Sequence, residues 1–279
     1  MVQDSLKLNL SRNLKEALSH YCEQSGDTPE RAALRALADF LDIEHHTVYQ
    51  VSTSGALVEG VLQGAVPLRE VLKHGDFGLG TFHGLDGEGI LLDGQCWQAL
   101  SDGTVRPVDA AQMTPFWVAT RFQSEKDARI QDIRSIDDLY ARLDAMRLSD
   151  NIFTGIRIEG FFSRVDVRVA CKSEMGTDLV TATHNQAEFH FANVEGTLVG
   201  FYTPEYAHTI GVPGYHLHFI SRDRTQGGHV LGLVANSLDI ALDFGNELKL
   251  ILPESSSFLN ADLTGDTRSA LEKAEKARN

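Results

Sequence analysis

Three histidines placed close together constrain this chain more than any other feature. They lie in Gly214-Tyr215-His216-Leu217-His218-Phe219-Ile220, which continues through Ser221-Arg222-Asp223-Arg224-Thr225-Gln226 into Gly227-Gly228-His229-Val230-Leu231. The first run alternates, so as a strand it sends His216 and His218 to one face and Leu217 and Phe219 to the other. Asp223-Arg224 suits a turn, after which residues 227–234 return as a second strand. Pairing about that turn sets His229 opposite His218, because both are equally distant from the midpoint between 223 and 224. Neighbouring strands lie about 4.8 Å apart, so three imidazoles converge on one face of one hairpin. Such a platform suits a cation with metal–nitrogen bonds of roughly 2.0–2.1 Å and positions left open for a substrate. Gly227-Gly228 permits close backbone approach beside it. A His-x-His pair alone is an ordinary polar pair on a strand; the third histidine in register turns the reading toward a metal. The other eight histidines (His20, His45, His46, His74, His83, His184, His190 and His208) have no comparable partner and are assigned no role.

With 279 residues, 42% of them hydrophobic, the chain can bury a substantial core in one large domain or two ordinary ones. No run of about 18 apolar residues occurs. The opening MVQDSLKLNL lacks the basic patch, apolar stretch and small-residue cleavage site of a secretory signal. A cytoplasmic protein without a membrane partner is expected. Cys22, Cys96 and Cys171 are odd in number and far apart, which leaves neither a disulfide framework nor a CxxC clip. A net charge of −14 opposes binding of nucleic acid or an anionic membrane by the bulk of the chain. A small anionic substrate would therefore need a local cation, either a metal or a placed arginine.

Residues 1–46 read as a separate module. Residues 5–10 alternate as a short strand, and 12–24 form a helix with Leu14, Ala17, Leu18 and Tyr21 on one face, ended by Ser25-Gly26-Asp27. Thr28-Pro29-Glu30 opens a second helix, cap residue before proline, that carries Ala33, Leu34, Leu37, Phe40 and Leu41. A strand followed by two helices resembles the ribbon-helix-helix family of dimeric DNA-binding modules. In that family two chains pair their strands, and here Lys7 and Asn9 would be the outward, groove-reading side chains. One strand and two helices cannot bury both faces alone, so the pattern implies a homodimer or a higher homo-oligomer. The segment holds five Lys/Arg against eight Asp/Glu, net −3, where a DNA reader should be basic. Dimerisation is favoured over DNA reading.

Residues 47–155 are β-rich. Asp93-Gly94 and Asp102-Gly103 are hairpin signals, 67–73 is a short helix stopped by Gly75, and Ser135 caps a helix with Ile136, Leu139, Tyr140, Leu143 and Met146 as its buried stripe. Residues 156–279 resume as strands at 156–160, 165–169, 188–191 and 197–202, interrupted by a polar, poorly patterned stretch at 172–183 and closed by a helix at 267–276.

Tyr215-His216-Leu217-His218-Phe219-Ile220 with Gly227-Gly228-His229-Val230 resembles the metal motif of the acetolactate decarboxylases. Blocks matching that family run in order through Gln50-Val51-Ser52-Thr53-Ser54-Gly55, His74-Gly75-Asp76-Phe77-Gly78-Leu79-Gly80-Thr81-Phe82, Leu85-Asp86-Gly87-Glu88, Ile158-Glu159-Gly160-Phe161-Phe162 and Gly200-Phe201-Tyr202. They span about residue 48 to about residue 265. The resemblance implies an α+β fold with two β-sheet-based subdomains, 47–155 and 156–279, a few flanking helices, and the strand-helix-helix module in front. It implies that the family's zinc histidines fall on His216, His218 and His229, its catalytic glutamate on Glu88 and its active-site arginine on Arg168. A further glutamate near the family's C-terminus lies at the metal. Glu275 is its counterpart here, with Glu272 one turn away as the alternative. Where the family follows its arginine with a Ser-Val-Pro…Gln…Pro-Tyr run, this chain has Val169-Ala170-Cys171-Lys172-Ser173-Glu174, a departure expected at the mouth of the site.

The implied reaction decarboxylates 2-acetolactate, a small anionic 2-hydroxy-3-oxo acid, to acetoin and CO₂. A divalent metal, zinc or another compatible with three histidines, would act as a Lewis acid where negative charge develops. Arg168 would hold the carboxylate through its fork of donors, and Glu88 would deliver a proton. Two other classes compete: a ribbon-helix-helix regulator with an acetolactate-sensing domain, and another hairpin-based His₃ metal enzyme such as a cupin-like isomerase. A pure sensor would not require the proton donor, and the hairpin alone does not account for the blocks between Thr81 and Gly94.

Overall fold

Capping chemistry sets the limits of the N-terminal helices. In the computed structural model, which describes residues 7–41, 43–184 and 186–275, helix α1 (Arg12–Ser25) opens where Ser11 Oγ accepts from the Leu14 N–H. It closes on Gly26, whose φ of 73° is the left-handed cap. Helix α2 (Pro29–Leu41) follows Thr28, which accepts from the Arg31 N–H at 3.2 Å. Arg35 ties the pair together by donating to the Asp27 carboxylate at 2.7 Å and to the Tyr21 hydroxyl. Of the expected strand at 5–10, residues 5 and 6 lie outside the described residues, and 7–10 form no strand. A ribbon strand needs a second strand to complete its ladder, and one chain supplies none. Leu14, Leu34, Leu37, Phe40 and Leu41 stay exposed, Phe40 by 85%.

From His46 onward the chain forms a second unit. Its first half runs β1 (Thr47–Val51), α3 (Ser54–Val58), β2 (Val66–Pro67), α4 (Leu68–His74), β3 (Phe77–Thr81), β4 (Glu88–Leu92), β5 (Gln95–Ala99), β6 (Val105–Pro107), β7 (Met113–Thr114) and β8 (Phe116–Thr120). There follow β9 (Lys126–Ile133), α5 (Ile136–Asp144), β10 (Phe153–Val169), α6 (Leu179–His184), β11 (Ala187–Thr203), β12 (Gly214–Ser221), β13 (Gly227–Gly245), β14 (Glu247–Ile251), α7 (Ser256–Leu259) and α8 (Arg268–Glu275).

Seven strands form one sheet in the order β14-β1-β8-β3-β4-β5-β6, with β1 and β14 parallel and the other neighbours antiparallel. β2 and β7 pair separately as a small ribbon. The second sheet runs β10-β11-β12-β13-β9, and β13 also pairs with β10, so β10 to β13 close on themselves. Neither sheet is drawn from one stretch of chain: β9 crosses to the second sheet and β14 returns to the edge of the first. The mixed α/β architecture is the expected one.

Two pairs of expected strands are each a single strand of 17 residues, β10 and β11. Gly160 and Ser163 look like breaks by local propensity. Pairing on both sides, to β11 and to β13, holds β10 extended through them, and register shifts between Phe161 and Arg164 absorb the irregularity. One core layer joins the two sheets, with Val48, Leu79 and Ile90 of the first against Val199, Phe201 and Ile220 of the second. Burying side chains of this size stabilises by roughly 1.5–3 kcal/mol each. Ser135 Oγ accepts from the Asp138 N–H and starts α5, which buries Leu139 and Leu143 against the second sheet. No helix among the described residues is long and apolar enough to cross a membrane.

Candidate active site

β12 and β13 form the hairpin read from the sequence, with His218 directly opposite His229. Leu217 and Phe219 point the other way into the core, and the three imidazoles gather on the opposite face with their ligand atoms within 4.8 Å of one another. His216 Nε2 and His218 Nε2 stand 3.2 Å apart. An ion with bonds of about 2.0–2.1 Å in tetrahedral arrangement separates its donors by about 3.3 Å, so this pair already sits at coordination spacing. His218 Nδ1 lies 2.9 Å from the carbonyl oxygen of Gly89. As the protonated nitrogen it donates there, which fixes the ring and leaves the Nε2 lone pair facing the cluster. Burial, aided by the Arg168 charge, pushes His216 down to about 3, and burial likewise lowers His218 to about 3 against the opposing pull of Glu88. Both rings are therefore neutral at ordinary pH, the state in which imidazole binds a cation.

Glu88 comes from the other sheet. It opens β4 just after a turn in which Leu85 and Gly87 have φ of 57° and 84°. A Cβ on Gly87 would stand 2.2 Å from the Ala99 carbonyl oxygen, so only glycine fits, and Thr81 Oγ1 donates to the Gly87 carbonyl at 2.8 Å. Held this way, the buried Glu88 accepts from the Ala170 N–H at 3.1 Å through Oε1, and its Oε2 lies 3.5 Å from His218 Nε2. Arg168 is buried near the end of β10, paired in register with His229 on β13.

Glu88, Arg168, His216, His218 and His229 line one small cavity of about 50 Å³ that is partly open to solvent. Its remaining wall is largely apolar and includes Leu57, Phe116, Leu179, Val212 and Leu271. Five of the six expected site residues thus meet in one place. Glu275, like its alternative Glu272, lies on α8, and the side chains of both fall outside the described residues. Sequence reasoning missed the wall contributed by α6. The stretch 172–183 is polar overall, yet Asp178 accepts from the Thr181 N–H at 2.9 Å as a helix cap, and Leu179 with Ala182 makes the buried face. The signal was a capping aspartate followed by apolar residues three apart.

A buried carboxylate, a buried guanidinium and three clustered imidazoles, His216 and His218 held neutral by burial, make an enzyme site suited to taking an anion and moving its charge. The family profile for alpha-acetolactate decarboxylase matches residues 48–265, and the chain belongs to that family. It is 40% identical over 261 residues to the alpha-acetolactate decarboxylase of Methanosarcina mazei, covering 90% of this chain and 91% of that protein. The Bacillus subtilis strain 168 enzyme is 41% identical over 217 residues, covering 77% of this chain and 85% of that protein. The crystal structure of alpha-acetolactate decarboxylase from that strain superposes with a TM-score of 0.80 at 39% identity, covering 83% of this chain and all of that one. The chain is an acetolactate decarboxylase, acting on a small substrate.

Proposed function

We propose that the decarboxylation depends on a divalent metal, zinc by donor type, held by His216, His218 and His229. When bound, such a cation supplies Lewis acidity where negative charge gathers on substrate oxygens. The chain's own residues do the rest. Arg168 receives the substrate carboxylate through its fork of donors and orients the bond to C2. When that bond breaks, CO₂ leaves and the electron pair passes into the neighbouring ketone. Glu88 then relays a proton to C2, giving acetoin, with water as the proton's source. The apolar wall keeps bulk water from competing for that carbon. Glu275 is assigned to the same site, with Glu272 the alternative. The observation that carries the reading is the convergence of Glu88 and Arg168 with three imidazoles on one cavity, two of them, His216 and His218, neutral through burial.

The test pairs metal analysis with an acetoin assay on purified protein. Wild type should contain a divalent metal, lose acetoin formation on chelation and regain it on zinc addition. His218→Ala should lose the metal of this site together with the activity. Full turnover by rigorously metal-free protein would overturn the metal dependence.

The N-terminal module, 1–46, is assigned to self-association in the cytoplasm, its exposed leucines and Phe40 packing on a second copy. Removing residues 1–45 should halve the mass seen by light scattering while acetoin formation persists; an unchanged mass would refute this role.

A further inference from the structure

His46 was left without a role by sequence pattern, since no other histidine lies in register with it. In the folded chain it meets two carboxylates. His46, Glu125 and Asp243 present ligand atoms within 4.8 Å of one another, the second such group of possible metal ligands among the described residues. They come from the start of β1, the turn before β9 and the end of β13. None of the three lines the catalytic cavity.

We infer that this trio is a second divalent-cation site, for a zinc-like ion, that clips three distant stretches of the chain together. Geometry is the first argument. His46 Nδ1 lies 2.9 Å from Asp243 Oδ1 and 3.7 Å from Glu125 Oε2. These separations straddle the roughly 3.3 Å expected between donors of one tetrahedral ion, and the catalytic imidazoles show the same spacing at 3.2 Å. Outer donors orient the carboxylates. Thr120 Oγ1 and the Gln123 N–H donate to Asp243 Oδ2 at 3.3 and 3.4 Å, which turns Oδ1 toward the imidazole. The Phe244 N–H donates at 3.2 Å to Glu125 Oε2, the oxygen that faces the imidazole, and holds it there with its second lone pair free. Ligand carboxylates held by such contacts are the usual second layer of a metal site.

Charge is the second argument. The side chains of His46, Glu125 and Asp243 are only 7%, 15% and 2% exposed. Two buried carboxylates cost several kcal/mol each unless compensated. A divalent cation between them would supply that compensation. Glu125, the least buried, leaves room for water to complete the coordination. The one nitrogen and two carboxylate oxygens suit zinc or manganese better than calcium or magnesium.

The test measures zinc per chain by mass spectrometry of the full-length protein, loaded with zinc(II) and desalted. Wild type should hold two. Glu125→Gln should hold one and keep its acetoin formation. His46→Gln serves as a second variant with the same expectation, in case one of the two folds poorly. His218→Gln should also hold one, in the second site, and lose activity, which separates this inference from the catalytic metal. Wild type and Glu125→Gln with equal zinc would overturn the proposal, as would a His218→Gln protein with none; either would leave the trio as a hydrogen-bonded cluster that holds no ion.

Discussion

Lowering the pH from 7 to 5 should destabilise the metal-free protein through its site histidines. An unfolded histidine titrates near 6.5 and is almost fully protonated at pH 5. In the native chain burial holds His218 and His216 down to about 3, so neither takes up a proton in that window. The native state then binds fewer protons than the unfolded one, and stability is lost as pH falls below 6.5 toward 3. Between pH 7 and 5 the linkage amounts to about 2 kcal/mol for His218. His216, which keeps one edge on the cavity, adds at most about as much again. At about 2–4 °C per kcal/mol for a unit of this size, the melting temperature should fall by roughly 4–15 °C. The assay is differential scanning fluorimetry of chelated protein at the two pH values, compared with His216→Gln/His218→Gln. The double variant cannot titrate at these positions and should lose most of the drop. An equal fall in both proteins would refute the claim that these rings are buried and neutral.

Glu88→Gln keeps shape but cannot deliver the proton, so acetoin formation should drop by about 10²–10⁴-fold with metal content unchanged; steady-state kinetics and metal analysis check both halves. Arg168→Lys trades a planar fork for a point charge, and kcat/KM should fall by roughly 10–100-fold, the loss of one charge-assisted bidentate contact. Gly200→Ala should cost metal and about 1–3 kcal/mol of stability. A Cβ there would stand 2.1 Å from the His216 carbonyl oxygen, so β12 must shift and carry its histidines with it. Normal zinc content in that variant would show that the hairpin tolerates displacement.

The histidine hairpin was legible because its geometry is local. Period-2 alternation fixed the faces, the turn fixed the register, and His218 pairs with His229 as the count from Asp223-Arg224 requires. The capped helices at Thr28 and Ser135 were legible for the same reason. Glu88 and Arg168 were not. Nothing near either one tells that they share a cavity, because β4 and β10 meet only through tertiary packing, and family likeness alone singled them out. The lengths of β10 and β11 were misjudged because pairing on both flanks overrides Gly160 and Ser163. His46 was passed over since its two partners lie 79 and 197 positions away in sequence.

The site also resolves a difficulty posed by composition. A chain carrying −14 has to draw an anion into a largely apolar cavity, and the field of its surface opposes that. Long-range attraction is therefore the wrong place to look for affinity; charge has to be concentrated where solvent screening is weak. Arg168 meets that condition, since it is buried and its charge is felt by both His216 and His218. Keeping those imidazoles neutral serves the same end, because a dication held by neutral ligands retains its full charge. With the proposed cation held there, the anion would meet net positive charge only inside the cavity, where its carboxylate is lost and its negative charge must be received on oxygen. On this argument the acidity of the exterior and the cationic character of the interior are compatible. Raising ionic strength, which screens the exterior more than the cavity, should leave kcat unchanged and lower KM; a rise in KM with salt would mean that exposed basic residues guide the substrate instead.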